Sequence, residues 1–261
     1  MTVLESARFF EKEASFPCAI CGSDNVGREG FCFHCLAPLT LSRSIFARGT
    51  PAQLLSVLGA AGAGKTVYLG LLLDVLSKGY HELQGLPNGS FSVAVQHQTI
   101  SALERRRFPE KTPSEADHWQ WVHCEITQAK KKRKRCTDLI TPDLAGEAIG
   151  VEMDQPGTFE TIRVTVRKSA ALLVLIDSLR ARDSGRDEDL FALKLISYLS
   201  SLHGGSNGKK KLPTPVGFVF TKCDLCPEAM DDPEGFAAAN VPGLLRFCDH
   251  NLAAHRFFGA S

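Results

Sequence analysis

Residues 59–66 read GAAGAGKT, a complete match to the pattern G-x-x-x-x-G-K-[ST]. The short apolar run at residues 54–58 predicts a strand before the motif, and residues 65–78 predict a helix after it. In that context, the backbone N–H groups of a glycine-rich turn and the helix N-terminus surround a phosphate group. The sequence therefore predicts a nucleotide phosphate site formed by Gly59, Ala60, Ala61, Gly62, Ala63, Gly64, Lys65, Thr66 and Val67.

Two side chains at the end of this motif predict how the phosphates are held. Lys65 carries a charge on a long stem, so we expect it to reach the β- and γ-phosphates and to serve catalysis. The Thr66 hydroxyl is an oxygen ligand of the kind that Mg²⁺ binds beside nucleotide phosphates. The motif therefore predicts a nucleotide and Mg²⁺ as cofactors.

Strands and helices alternate through the rest of the chain, which predicts a mostly parallel α/β sheet. The predicted strands are residues 91–96, 170–176, 216–221 and 257–259. The predicted helices are residues 97–107, 187–202 and 233–254, the last with a break at residues 242–243. A hairpin is predicted from residues 118–127 and 135–141, and a loop from residues 204–211.

Two later motifs follow predicted strands. DLAGE at residues 143–147 resembles the D-x-x-G motif of Ras-like and translational GTPases, and TKCD at residues 221–224 resembles their [NT]-K-x-D motif. The resemblance implies that Asp143 holds Mg²⁺ through a water and that the Gly146 N–H contacts the γ-phosphate. It also implies GTP and GDP as ligands, because Asp224 would accept hydrogen bonds from guanine N1–H and the 2-amino group. Thr221 and Lys222 complete that motif, with the lysine stem along the base.

The resemblance covers residues 53–261 and implies a Ras-like fold of the TRAFAC class. Such a fold is a mostly parallel sheet with flanking helices and one antiparallel edge hairpin. The implied function is a switch that hydrolyses GTP to GDP, controlled by an effector or activating protein that the sequence does not name. A four-cysteine finger ahead of this domain, with an inserted strand and helix before the first switch, is also similar to the bacterial double-GTPase family. That family is proposed to act in conflict or defence systems.

The chain departs from the Ras-like pattern around the γ-phosphate. Thr112 is the best match for the first-switch threonine that binds Mg²⁺, although an ordinary loop threonine fits the same position. Glu147 stands where Ras-like proteins have a water-orienting glutamine, and Ala61 replaces a glycine. We therefore predict slow hydrolysis with Lys65, Thr112, Gly146 and Glu147 as the catalytic set. No arginine from this chain is assigned to catalysis; Arg105, Arg106 and Arg107 are candidates, but a solvated helix end explains them better.

A second motif lies near the start of the chain. Residues 18–35 read CAICGSDNVGREGFCFHC, two Cys-x-x-Cys pairs separated by ten residues. Tight knuckles of this kind direct four thiolates at one Zn²⁺ ion, which supplies the folding energy of so short a segment. The zinc ligands are predicted to be Cys18, Cys21, Cys32 and Cys35, with His34 outside the coordination shell. We divide the chain into a zinc module at residues 1–50 and a GTPase domain at 51–261. The module is expected to be a cap or docking unit rather than a nucleic-acid binder, and chelation is expected to unfold it while sparing nucleotide binding.

Charge and composition set further bounds. The chain has 261 residues, is 44% hydrophobic and carries a formal net charge of +1. That balance excludes a uniformly basic nucleic-acid binder, yet residues 130–135 are all Lys or Arg. This predicted hairpin tip is a candidate contact for an anionic surface such as lipid, nucleic acid or an acidic protein, although a solvated tip explains it better. Nine cysteines without a secretory signal or an apolar run of membrane-spanning length predict a reducing, cytoplasmic setting.

The end of the chain leaves two questions open. The last residues, FFGAS, stop at Ser261, where the Ras-like pattern has a guanine-contacting loop and a closing helix. We interpret this as a truncation, with a helix supplied by a partner as the alternative, and Ser261 as a base contact. Two other functions remain open. One is a weakly hydrolysing GTP-bound scaffold in a bacterial defence assembly, and the other is a nucleic-acid-associated ATPase.

Overall fold

A seven-stranded sheet organises the chain, and a two-stranded ribbon precedes it. The computed structural model describes residues 15–26, 30–130, 133–202 and 211–261. The ribbon consists of β1 (Phe16–Pro17) and β2 (Asp24–Asn25). The sheet strands are β3 (Ala52–Gly59), β4 (Leu83–Asn88), β5 (Trp121–Lys130), β6 (Arg133–Pro142), β7 (Ala171–Asp177), β8 (Val216–Thr221) and β9 (His255–Gly259). Their order in space is β4-β5-β6-β3-β7-β8-β9.

One strand of this sheet runs against the others. β3, β6, β7, β8 and β9 pair in parallel, whereas β5 pairs antiparallel with both β4 and β6. The predicted mostly parallel sheet with an antiparallel hairpin is therefore confirmed. β4 adds an edge strand beyond that hairpin, at residues where the sequence interpretation placed no strand.

Helices cover the sheet and connect its strands. The first five are α1 (Leu39–Arg48), α2 (Lys65–Lys78), α3 (Ser90–Glu104), α4 (Gly146–Asp154) and α5 (Glu160–Lys168). The second five are α6 (Ser178–Asp183), α7 (Gly185–Leu202), α8 (Pro227–Asp231), α9 (Pro233–Asn240) and α10 (Pro242–Asn251). The predicted break at residues 242–243 lies one residue too late, because α9 ends at Asn240 and α10 begins at Pro242. α10 ends at Asn251 and does not extend to residue 254.

The predicted strand at residues 91–96 is wrong, because these residues form the first part of α3. The apolar residues at 91, 93 and 95 alternate like a strand. However, Val93 is exposed, whereas Ser92, Val95 and Thr99 are buried on one helical face. The inserted strand lies earlier, at β4. The predicted helix 97–107 ends at Glu104.

The helix α3 packs closely against α2. A Cβ at Gly70 of α2 would lie 2.2 Å from Thr99 Oγ1, so only a residue without a side chain allows this approach. On the far side of the sheet, Phe218 of β8 stacks on Phe257 of β9 with ring centroids 5.0 Å apart. Both rings are buried, and they fix the parallel pairing of β8 and β9.

The cysteine module packs into the same core as the sheet. Buried module residues share one cluster with the neighbouring strands and α5, comprising Cys18, Ile20, Cys32, Cys35, Ala37, Leu39, Leu41, Ile45, Leu54, Trp121, Ile140 and Val164. Arg48 at the end of α1 lies 2.6 Å from Glu125 on β5 and 3.2 Å from Asp138 on β6. The module is therefore joined to the sheet by apolar contacts and by ion pairs.

Two sequence predictions fall on residues outside the described part. Residues 131 and 132 and the side chains of 129–134 are not described, so the anionic-surface prediction for residues 130–135 stays a prediction. The same holds for residues 204–210 of the predicted loop. In the part of the chain that the structure describes, no helix has the length and apolar character needed to cross a bilayer.

Candidate nucleotide-binding site

The motif at residues 59–66 forms the turn between β3 and α2, as predicted. A Cβ at Gly59 would lie 2.6 Å from the Leu175 carbonyl oxygen on β7, so the loop begins in close contact with the sheet. Gly64 has φ 86°, which favours glycine, and α2 begins at the next residue. The glycines thus fix a backbone cradle at the carboxyl ends of β3 and β7.

The Lys65 side chain folds back over this loop. Its Nζ donates to the carbonyl oxygens of Gly59 at 3.0 Å and Ala60 at 3.1 Å. Burial lowers the pKa of Lys65 to about 8, and the carboxylates of Asp143 and Glu147 oppose that shift. The amine therefore lies inside the phosphate cradle, in a setting that favours an anionic partner.

Three oxygen-bearing side chains meet beside Lys65. Thr66 Oγ1 lies 2.9 Å from Thr112 Oγ1 and 3.1 Å from Asp143 Oδ2, and Thr112 donates to the same Asp143 oxygen at 2.9 Å. They come from α2, from the segment between α3 and β5, and from the residue after β6. Burial raises the pKa of Asp143, while the hydrogen bonds from the two hydroxyls lower it. The arrangement is a compact group of hard oxygen donors.

The DLAGE motif brings the start of α4 against the phosphate loop. A Cβ at Gly146 would lie 2.6 Å from Ala61 N and 2.7 Å from Ala60 C. Only glycine allows this approach without movement of one of the two backbones. Glu147, the next residue, is exposed in the first turn of α4.

The TKCD motif follows β8 and contacts the phosphate loop from the other side. Thr221 Oγ1 donates to the Ala63 carbonyl oxygen at 3.0 Å. Lys222 has φ 61°, an unusual value for a residue with a side chain, and its Nζ pairs with Asp177. Asp224 is exposed at the end of the turn.

The end of the chain lies beside this turn. Ala260 N donates to the Phe220 carbonyl oxygen at 2.8 Å, and Cys223 N donates to the Ala260 carbonyl oxygen at 3.0 Å. Ser261 follows and is exposed. The structure thus brings Thr221, Lys222, Asp224 and Ser261 to one edge of the loop.

Two residues in this site were missed by the sequence interpretation. Asp177, the last residue of β7, accepts from Leu179 N at 3.1 Å and from Arg180 N at 3.3 Å, so it caps α6 as well as pairing with Lys222. Arg180 Nη1 lies 3.4 Å from the Ala61 carbonyl oxygen. Asp177 could have been found from the sequence, because it is an acidic residue at the carboxyl end of a predicted buried strand and ligands bind at that edge of a parallel sheet.

The arginines that follow α3 lie on the side of the site formed by Thr66, Thr112 and Asp143. Arg105 and Arg107 line a cleft of 1110 Å³ that reaches Thr66, Thr112 and Asp143. Arg106 has φ 56° and is exposed. These side chains therefore border the site without a described bond to the phosphate loop.

The four predicted zinc ligands converge. Their sulfur atoms all lie within 4.8 Å of one another, with Cys18 and Cys35 at 3.6 Å and Cys21 and Cys32 at 3.5 Å. Ile20 N and Ser23 N donate to the sulfurs of Cys18 and Cys21, as in a metal-binding knuckle. Sulfurs about 3.8 Å apart match a tetrahedral site with Zn–S bonds of about 2.3 Å. His34 instead lies 3.6 Å from Glu160 on α5.

A family model and a set of solved structures are similar to this chain. A family model described as Double-GTPase 2 matches residues 53–260. No curated protein matches the chain. The solved structures that resemble it include the GTPase-like domain of Ski7 from S. cerevisiae bound to GTP, at 17% identity and TM-score 0.44, covering 84% of this chain and 44% of that one.

Two further structures are similar at the same level. A GTP-binding protein from the archaeon Sulfolobus solfataricus in complex with GDP is 9% identical, with TM-score 0.38 and coverage of 85% and 50%. The signal recognition particle receptor SRb-GTP/SRX complex from Chaetomium thermophilum is 11% identical, with TM-score 0.40 and coverage of 80% and 93%. The chain spans half or less of the yeast and archaeal chains, and likenesses this distant support no inference about function. The family match covers most of the chain, which therefore belongs to the Double-GTPase 2 family of P-loop GTPases.

Proposed function

We propose that this protein binds Mg²⁺·GTP, hydrolyses it slowly to GDP, and acts as a switch that reports which nucleotide is bound. The observation that carries the proposal is the meeting of Thr66, Thr112 and Asp143 beside Lys65. Three chain segments distant in sequence converge there on a set of oxygen donors. The four side chains are of the kinds that bind a nucleoside triphosphate and its metal ion.

Each member of this group has a proposed role. Thr66 and Thr112 would bind Mg²⁺ directly and Asp143 through a water, and the ion would neutralise charge on the β- and γ-phosphates. Lys65, held by the loop carbonyls of Gly59 and Ala60, would exchange those neutral acceptors for phosphate oxygens. The charge that develops on the transferred group would then be met by a fixed cation.

The switch would depend on two contacts to the γ-phosphate. Gly146 N–H would donate to it, and Thr112 would bind the metal only while it is present. When hydrolysis removes the γ-phosphate, both segments lose a partner and are free to move. An effector that recognises residues 108–113 or the start of α4 would read that change.

Hydrolysis would be slow because of the residue that follows Gly146. The exposed Glu147 carboxylate can orient a water, but it repels the γ-phosphate, unlike an uncharged glutamine. The Ala61 methyl group also stands close to the point of attack. A rate that depends on an external partner would suit a switch.

Guanine selection is proposed for the turn after β8. Asp224 would accept hydrogen bonds from guanine N1–H and the 2-amino group, and adenine lacks both donors. The Lys222 stem would lie along the base, with its amine held by Asp177. Ser261, next to the backbone bonds of Ala260, would close the base pocket.

Calorimetry tests the base assignment directly. The protein should bind GDP at least about 100-fold more tightly than ADP, because Asp224 would lose both of its proposed hydrogen-bond donors when adenine replaces guanine. Asp224→Asn should lose this preference and gain affinity for xanthine nucleotides, whereas Asp231→Asn, at an exposed position on α8, should behave as the wild type. Equal affinity of the wild type for GDP and ADP would overturn the proposal.

A further inference from the structure

A second basic side chain reaches the phosphate loop, from α6. Arg180 lies one turn after the end of β7, and its Nη1 is 3.4 Å from the Ala61 carbonyl oxygen. About half of the side chain is exposed (49%), so the guanidinium borders the loop rather than filling the core. Its partner in the loop is a backbone carbonyl oxygen, which is a neutral acceptor.

A buried carboxylate forms an ion pair with this guanidinium. Arg180 Nε lies 2.9 Å from Glu188 Oε1 on α7, and the Glu188 side chain is only 2% exposed. Burial raises the pKa of Glu188, and the charge of Arg180 opposes that shift. The ion pair at Nε leaves Nη1 available for the Ala61 carbonyl oxygen.

The loop residue that Arg180 meets also marks the γ-phosphate end of the site. Gly146, whose N–H is the proposed γ-phosphate contact, packs against the backbone of the same residue, Ala61. Arg180 and Gly146 thus approach one point of the loop from different helices. A cation at that point would lie beside the group that is transferred.

We propose that Arg180 is the catalytic arginine that this GTPase supplies from its own chain, pairing with γ-phosphate oxygens during hydrolysis. The inference rests on the proposed GTP hydrolysis. Water oxygen forms the new bond to the γ-phosphorus while the bond to the β–γ bridging oxygen breaks. The electron pair stays on that oxygen of GDP, and the proton of the water passes to the released phosphate. Arg180 would neutralise charge on the transferred group during this step.

The same helix offers a matched control. Arg182 pairs with Asp183 at 2.9 Å and with Glu228 at 3.7 Å, and none of its described contacts is to the phosphate loop. Arg182 carries the same charge as Arg180 and lies on the same helix, but it contacts Asp183 and Glu228 instead of the loop. Arg105→Ala and Arg107→Ala test the competing arginines across the site, which line the cleft next to Thr112.

Single-turnover hydrolysis of GTP separates these residues. Arg180→Ala and Arg180→Lys should slow hydrolysis by about 10³-fold, the lower end of what arginine fingers supply. Affinity for a non-hydrolysable GTP analogue should change less than about threefold, while Arg182→Ala keeps the wild-type rate. The wild type should also bind aluminium fluoride together with GDP, as a mimic of the transferred group, and the Arg180 variants should not.

A double variant controls for the loss of the buried ion pair. Arg180→Ala leaves Glu188 buried without its partner, so the double variant Arg180→Ala/Glu188→Gln is measured as well and should fold and remain slow. Wild-type rates in the Arg180 variants, or a loss confined to Arg105→Ala or Arg107→Ala, would overturn the assignment of Arg180 alone. No GTP hydrolysis by the wild type would instead overturn the proposed function, and the Arg180 role with it.

Discussion

The Thr112 hydroxyl lies 2.9 Å from the Thr66 hydroxyl, although 46 residues separate the two. Asp143 accepts hydrogen bonds from both, which ties the segment before β5 to the first turn of α2. The phosphate loop, the segment before β5 and the DLAGE motif therefore meet at one carboxylate. This relationship makes the two threonines separable by experiment, because they play different roles in the proposed cycle.

Thr112→Ala should weaken binding of a non-hydrolysable GTP analogue while leaving GDP affinity close to the wild type. Losing one hydroxyl bonded to a charged group costs about 1.5–3 kcal/mol, or about 10–150-fold in affinity. Thr66→Ala should weaken both nucleotides, because its proposed role beside the metal does not depend on the γ-phosphate. Calorimetry with and without Mg²⁺ measures each case.

Thr158→Ala is the control for these two variants. Its hydroxyl bonds the Gln155 carbonyl oxygen in an exposed turn away from the site. If Thr112→Ala weakened GDP and the GTP analogue equally, Thr112 would not be a sensor of the γ-phosphate.

Gly146→Ala should reduce affinity for the GTP analogue more than for GDP. The added Cβ would lie 2.6 Å from Ala61 N, so α4 or the phosphate loop must move. Overpacking of this kind costs about 1–3 kcal/mol. Gly150→Ala lies one turn further along α4 with no atom within 4 Å, and should stabilise the helix by about 0.5–1 kcal/mol without affecting binding. Equal binding by the two variants would show that Gly146 does not need to approach the loop.

Residues of the site that lie close together in the chain could be predicted from the sequence, whereas residues brought together by strand pairing could not. The glycines and Lys65 could be predicted because the loop, its strand and its helix are consecutive in the chain. The strand predicted at residues 91–96 failed because alternating apolar residues also occur at the start of a helix whose buried face is Ser92, Val95 and Thr99. Asp177 and Arg180 carry no motif, and their part in the site depends on the pairing of β7 beside β3, which is a long-range property.

Asp177 offers a way to separate stability from binding. Its carboxylate caps α6 and also pairs with Lys222. Asparagine is as good a helix cap as aspartate, so Asp177→Asn should keep the unfolding free energy within about 0.5 kcal/mol. The same variant should weaken GDP and GTP alike, because Lys222 loses its partner beside the base.

Asp177→Ala loses both contacts, so it should also lower the unfolding free energy by about 0.5–2 kcal/mol. Urea titration and calorimetry measure the two effects separately. Asp183→Asn, which removes an exposed charge from the end of the same helix, serves as the control. Wild-type nucleotide affinity in Asp177→Asn would contradict a role for this ion pair in base binding.

The cysteine module should contribute to the stability of the whole chain, because its core is shared with strands β3, β5 and β6 of the sheet. Cys18, Cys35 and Ile45 share a buried cluster with Leu54 and Trp121. We infer that a Zn²⁺ ion at the four sulfurs holds the module side of this cluster together. Because of this shared core, we now expect chelation to destabilise the whole chain and not residues 1–50 alone.

Cys35→Ser, or chelation of the wild type, should therefore lower the unfolding free energy of the GTPase domain by roughly 3–5 kcal/mol, as loss of a structural metal site does. Urea unfolding is followed by circular dichroism and by the fluorescence of Trp121 in a Trp119→Phe background, and both signals should move together in one transition. Cys136→Ser removes a half-buried thiol outside the module and should leave the midpoint within about 0.5 kcal/mol of the wild type. An early Trp121 transition with an unchanged circular-dichroism midpoint would mean that the module unfolds independently, and the metal would then stabilise only the segment that binds it.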